Sequence, residues 1–224
     1  MNRLAIFDCD GTLVDSSATI HAALAEAFAE HGLPVSPLEQ SRRVIGLSLI
    51  EAMAALLPEA SRDEHVRLTE TYKAKFVAAR AEGRVEEPLF DGIAELLDAL
   101  AADGWSLAVA TGKSARGLYH CLASHGMAER FVSLQTADLH PSKPDPSMAL
   151  QAMADAGAAP ATTVVIGDTS FDMGMARAAG ATAIGAGWGY HDDKELIAAG
   201  AAAVADHPLE IPSLIGPIGE KLYG

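Results

Sequence analysis

A chain of 224 residues, half of them hydrophobic and only 5% aromatic, can bury one large domain, or a core plus a smaller unit, built from Ala, Leu, Val and Ile. Its net charge of −14, with no basic stripe and no interleaved aromatics, argues against nucleic acid as a partner. No apolar run has membrane-spanning length, no signal peptide precedes the first strand pattern, and the two cysteines, Cys9 and Cys121, fit a reducing cytoplasm better than a disulfide scaffold. Neither cysteine is followed by arginine six residues on (positions 15 and 127 are Asp and Met), the spacing a cysteine-based phosphatase uses. The overall acidity repels anions, so any phosphate site must rely on local cations and backbone N–H groups.

The first predicted strand, Leu4-Ala5-Ile6-Phe7, runs into Asp8-Cys9-Asp10-Gly11-Thr12-Leu13-Val14-Asp15-Ser16. In an extended chain Asp8 and Asp10 would share a face. Two anions that close raise each other's pKa unless a cation sits between them. The pair therefore suggests a divalent metal, an acid–base pair, or both, and Gly11 permits a sharp exit from the strand. It is not a calcium loop, because the twelfth position from Asp8 is Thr19 rather than Glu.

Residues 16–84 read as four helices with no strand pattern. Ser16 or Ser17 can cap the first, which places Ile20, Leu24 and Phe28 on one face and ends at Gly32. Shorter helical runs are predicted over 38–45 and 48–57, then a long polar-faced helix over 61–82 closed by Gly83. From Pro88 the pattern alternates. A helical stripe (Ile93, Leu96, Leu97, Leu100) precedes a strand over 106–110 that ends in Thr111-Gly112-Lys113. A helix over 114–125, a strand near 131–135 and a helix over 145–156 follow, the last preceded by His140-Pro141-Ser142-Lys143-Pro144-Asp145-Pro146. The strand Thr163-Val164-Val165-Ile166 ends in Gly167-Asp168, with a helix from Ser170 carrying Asp172 and weak strands at 181–185 and 202–205. Apolar strands alternating with helices of this length imply a parallel sheet covered on both faces, with ligands at the carboxyl ends of its strands. All the polar signals fall at those ends.

Taken singly, each signal has an ordinary explanation: Thr111 a helix cap, Lys143 a solvated loop lysine, Gly167-Asp168 a turn. Taken in order, Asp8-x-Asp10-Gly11-Thr12-Leu13-Val14, Thr111-Gly112, Lys143 and Gly167-Asp168-Thr169-Ser170-Phe171-Asp172 resemble the four motifs of the haloacid dehalogenase-like hydrolase superfamily, over essentially the whole chain. Lys143-Pro144-Asp145-Pro146 and the loop Gly185-Ala186-Gly187-Trp188-Gly189-Tyr190 look like its phosphoglycolate-phosphatase branch. Asp10 stands where the dehalogenase branch carries Tyr and the phosphonate-cleaving branch Ala.

The resemblance implies an α/β fold: a Rossmann-like parallel sheet core (residues 1–15 and 85–224) with a four-helix cap (16–84) inserted after the first strand. It implies a Mg2+-dependent phosphomonoester hydrolase with an aspartyl-phosphate intermediate, acting on a small phosphorylated metabolite such as 2-phosphoglycolate. Asp8 would be the nucleophile and Asp10 the acid–base residue. Thr111 and Gly112 would hold the phosphoryl oxygens, with Lys143 neutralising charge beside them. Asp8, the Asp10 carbonyl and Asp168 would hold Mg2+, while Asp172 would orient Lys143 or a water. Arg42-Arg43 in the cap could reach an anionic leaving group, Arg43 being the chosen candidate. No membrane contact is expected, and the chain would be a monomer or homodimer. A sugar-phosphate mutase and a non-catalytic phosphate-binding module are the alternatives. The eight histidines show no ligand spacing.

Overall fold

The apolar runs pair into one sheet. In a computed structural model that describes residues 2–220, six parallel strands lie in the order β3-β2-β1-β4-β5-β6. They are β1 (Asn2–Phe7), β2 (Trp105–Thr111), β3 (Ser133–Thr136), β4 (Ala158–Gly167), β5 (Thr182–Ala186) and β6 (Ala203–Ala205). Met1 and residues 221–224, assigned to the core by sequence, lie outside the described residues.

Alternation along the strands divides their side chains between two cores. Ala5, Phe7, Leu107, Val109, Val164 and Ile166 join one cluster with α5 (Ile93–Ala102), α6 (Ala115–Ser124) and α10 (Ile211–Glu220). Leu4, Ile6, Ala108, Ala110 and Val165 join the other with α7 (Ser147–Ala156) and α8 (Ser170–Ala178), and α9 (Asp193–Ala199) adds Leu196 to it.

β1 sits at the centre, with Phe7 in register with Val109 of β2 on one side and Ile166 of β4 on the other. The chain builds outwards from β1 first one way and then the other, so the crossovers diverge at its carboxyl end and leave a crevice there. That register brings Asp8, Thr111 and Asp168 to one edge. β4 begins earlier than its apolar run suggests. Asn2 pairs with Ala158 and, after a register shift, Leu4 pairs with Thr163. The added stretch holds Pro160 and exposed residues, and so carries no periodic signal.

Between β1 and α5 lie α1 (Ser17–Glu30), α2 (Leu38–Arg42), α3 (Leu49–Leu56) and α4 (Arg62–Ala81). They bury a third cluster of their own, including Leu24, Phe28, Met53, Leu68 and Tyr72. Ser61 and Glu64 form a reciprocal capping box at the start of α4. Ser16 occupies the cap position of α1 without capping it with its side chain, because its hydroxyl is drawn to Asp10. No helix among the described residues is long and apolar enough to cross a membrane.

Candidate active site

β1 stops at Phe7, and Asp8 is held at its end by an N–H donated to the Ile166 carbonyl (3.0 Å). Its carboxylate is buried. Oδ1 forms an ion pair with Lys143 Nζ at 2.8 Å, and neither oxygen has an aligned hydrogen-bond donor. Lys143 arrives from the loop before α7 and donates to Asp172 Oδ1 (2.6 Å). Asp172 is fixed in turn by α8: its Oδ2 accepts from the Thr169 hydroxyl (2.7 Å) and N–H (3.1 Å) in a capping box. Asp168, at the end of β4, accepts from the Thr12 hydroxyl (2.9 Å) and the Tyr190 N–H (3.0 Å). Gly11 lies against Asp168 with φ +92°, where a Cβ would strike that carboxylate.

Asp8, Asp168 and Asp172 thus offer ligand atoms within 4.8 Å of one another, all buried, with Lys143 the ammonium between Asp8 and Asp172. Burial pushes the Asp8 carboxyl up to about 7; Lys143 opposes this, and Asp172 and Asp10 add to it. Burial, with Asp8 and Asp172 nearby, raises Asp168 well above the usual carboxylate range. For Lys143 burial favours the neutral amine, but Asp172 and Asp8 outweigh it and hold the pKa above normal. Three carboxylates against one ammonium leave excess buried negative charge, and the unbonded Asp8 oxygens face it. A hard divalent cation with oxygen ligands fits this set.

The Asp10 carboxylate meets a different lysine from that of Asp8. Its Oδ1 accepts from the Ser16 hydroxyl (2.6 Å) and from Lys113 Nζ (2.8 Å). Lys113 also donates to Glu87 Oε1 (2.9 Å), and Glu87 Oε2 takes Arg80 of α4 (3.1 Å). Burial alone would depress the Lys113 ammonium, but Asp10 and Glu87 keep it charged well above its ordinary pKa. The expectation that the two carboxylates share one face gives way because the strand ends before them, leaving each free to meet a different lysine.

Thr111 is buried at the end of β2 and its hydroxyl accepts the Lys113 N–H (3.2 Å). A side chain on Gly112 would collide with the Leu47 carbonyl, so the loop between α2 and α3 approaches the backbone here as only glycine permits. Arg43, the expected leaving-group cation, is not brought to this edge. It is half exposed, turned outward from the end of α2, and pairs with the Glu195 carboxylate of α9 through both terminal nitrogens. Arg42 instead lies over the Tyr190 ring (5.8 Å) and donates to Ser17 Oγ (3.3 Å).

Sequence reasoning missed Lys113, Glu87 and Arg80. Lys113 follows Thr111-Gly112 directly at a strand end, which was the one signal for it. Glu87, in the stretch after α4, carried none. Cys9 is buried with its Sγ 3.9 Å from Cys121 Sγ. The contact with Cys121 and burial raise its thiol pKa, which disfavours the thiolate.

Residues 5–186 match the family model described as haloacid dehalogenase-like hydrolase. A Dickeya dadantii protein named probable phosphatase IndB is 38% identical over 92% of this chain and 90% of its own length. The N-acetylmuramic acid 6-phosphate phosphatase of Pseudomonas putida is 32% identical over 95% of this chain and 96% of its own. The crystal structure of a hydrolase from Pseudomonas syringae superposes with a TM-score of 0.84 at 29% identity, covering 97% of this chain and 99% of that one.

Proposed function

Because this chain belongs to the haloacid dehalogenase-like hydrolase family and relatives matching most of its length are named phosphatases, we propose that it is a Mg2+-dependent phosphomonoesterase working through an aspartyl-phosphate at Asp8. The observation that carries this reading is the Asp8 carboxylate: buried, without an aligned donor, and raised to about 7 at the carboxyl edge of a parallel sheet.

In the first step an Asp8 oxygen attacks phosphorus, and the bond from phosphorus to the alcohol oxygen breaks. Asp10 gives the departing oxygen its proton. In the second step Asp10 takes a proton from water, the water oxygen bonds to phosphorus, and the acyl–phosphate bond breaks to return Asp8 as a carboxylate. Thr111 and the Gly112 region hold the phosphoryl oxygens. Lys143 balances their charge as a compact ammonium, and Asp172 positions Lys143 through the 2.6 Å bond. Asp8, Asp168 and the Asp10 carbonyl would hold the cation. When bound it offsets the buried carboxylates and draws charge from the phosphoryl group. Lys113 and Ser16 aim Asp10, which otherwise has no fixed orientation.

Residues 16–84 act in this reading as a cap that excludes water and selects the leaving group. The 2-phosphoglycolate suggested by motif resemblance is one member of the substrate class. A relative named for N-acetylmuramic acid 6-phosphate, at 32% identity, indicates how far substrates diverge at this distance.

The test is Mg2+-dependent phosphate release from a panel of phosphomonoesters by wild type and Asp8→Asn. The variant is expected to fold and to lose about 10^4-fold or more in kcat. Retained turnover in a cleanly purified Asp8→Asn would sink the mechanism.

A further inference from the structure

Asp10 opens onto a cavity of about 370 Å3 between the inserted helices and the segment after β2. That is near the small end of the ~300–1,000 Å3 typical of ligand pockets. Its walls are apolar: Ile20 and Leu24 from α1, Leu49 and Met53 from α3, Tyr72 and Phe76 from α4. Three of the four lysines and arginines that line it are paired with carboxylates. Lys113 is held by Asp10 and Glu87, Arg80 by Glu87, and Lys73 pairs with Glu70 at the surface, while Arg116 is exposed. Arg43 does not line the cavity at all.

A leaving group seated here meets hydrocarbon and aromatic rings next to the Asp10 carboxylate. The carboxylate of a glycolate leaving group would lose its water among apolar walls, where Arg116 alone of the lining cations has no acidic partner among the described residues. A sugar or glycerol moiety would exchange water for walls with few donors and acceptors. An aryl or branched alkyl body would bury apolar surface on both sides.

Resting on the phosphomonoesterase reading, we propose that the preferred substrates are phosphomonoesters whose leaving alcohol carries an apolar body, of the size of a phenyl or indole ring, next to the oxygen that leaves. Phe76 and Leu49 set that preference.

The experiment compares kcat/KM for alkyl phosphates of similar leaving-alcohol acidity, so that chemistry does not mask fit: 2-phenylethyl phosphate, ethyl phosphate, glycerol 3-phosphate and 2-phosphoglycolate. The 2-phenylethyl ester is expected to exceed each of the others by at least about tenfold, the scale at which an apolar pocket rewards added hydrocarbon. Phe76→Ala should bring its advantage over ethyl phosphate below about threefold, and Leu49→Ala serves should Phe76→Ala fail to fold. A preference for 2-phosphoglycolate or glycerol 3-phosphate, or an unchanged ratio in the folded variant, overturns the proposal. Both readings are separable because p-nitrophenyl phosphate is assayed alongside. Its hydrolysis by wild type and not by Asp8→Asn keeps the phosphatase reading whatever the alkyl series gives. No release from any ester overturns both.

Discussion

The carboxyl edge of the sheet and the helical insert beside it are built on opposite terms. At the edge, charged groups are buried and locked by neighbours that secondary structure supplies: Asp172 by the first turn of α8, Asp168 by Thr12 and the Tyr190 backbone, Lys143 by Asp8 and Asp172. The insert has an apolar interior and meets the edge through a few polar ties, such as the Ser48 N–H on Ser142 Oγ (2.9 Å) and Arg80 on Glu87 (3.1 Å). A site that stabilises developing charge gains from dipoles and ions that need no rearrangement. A unit that must admit and release substrate gains from having few ties to break. The proposed chemistry and the proposed selection are thus housed in parts joined by few polar ties.

Perturbing the edge should cost most. Lys143→Met leaves Asp8 and Asp172 facing each other without compensation. It is expected to lower kcat by about 10^3-fold, and stability by about 3–5 kcal/mol, as breaking a buried ion pair does. Steady-state kinetics and urea unfolding check both, and a kcat loss below about tenfold would remove Lys143 from the assigned role. The junction between edge and insert should cost less. Lys113→Met frees Asp10, and kcat on an alkyl phosphate is expected to fall about 10^2-fold. The loss should shrink several-fold on p-nitrophenyl phosphate, whose leaving oxygen needs no acid; an equal loss on both esters would assign Lys113 to the phosphoryl group instead.

The cation can be read without turnover. In the metal-free protein the Asp8 pKa is raised from 3.8 to about 7, so between these values the native state binds more protons than the unfolded chain. Stability contributed by that proton is present at low pH and is lost as pH rises towards 7. Mg2+ held at Asp8 as proposed would replace the proton, so it should raise the melting temperature more at pH 8 than at pH 5. Equal shifts at both, or none, would place the ion elsewhere. The smallest effect is expected on the outer surface. Arg43→Ala should change stability by about 1 kcal/mol or less and kcat/KM by less than about threefold. A tenfold rise in KM would restore Arg43 to the leaving group.

What was legible in the sequence follows the same division. The strands, their order of approach to one edge, and Asp8, Thr111, Lys143, Asp168 and Asp172 as neighbours all follow from short local patterns at strand ends, where topology allows one destination. Lys113 was not legible, because a lysine after a turn looks solvated until Glu87, 26 positions away, and Asp10, 103 positions away, close around it. Ser16 looked like a helix cap, since sequence cannot weigh an N–H two or three residues on against a carboxylate six residues back. Arg43 failed for a related reason: which way a side chain leaves the last turn of a five-residue helix depends on what waits for it, here Glu195 of a distant helix.

The central place of β1 has a consequence for how the molecule is made. Leu4 to Phe7 precede both their partners, Ser106 to Val109 on one side and Thr163 to Ile166 on the other. This apolar segment therefore waits for about a hundred residues of chain before its first partner strand is made, and for about 160 before its second. Contacts this distant in sequence slow folding and leave an apolar strand exposed meanwhile. The α1–α4 unit, whose contacts are local, can form during that wait. The proposed site is complete only when β4 pairs with β1 and carries Asp168 to Asp8.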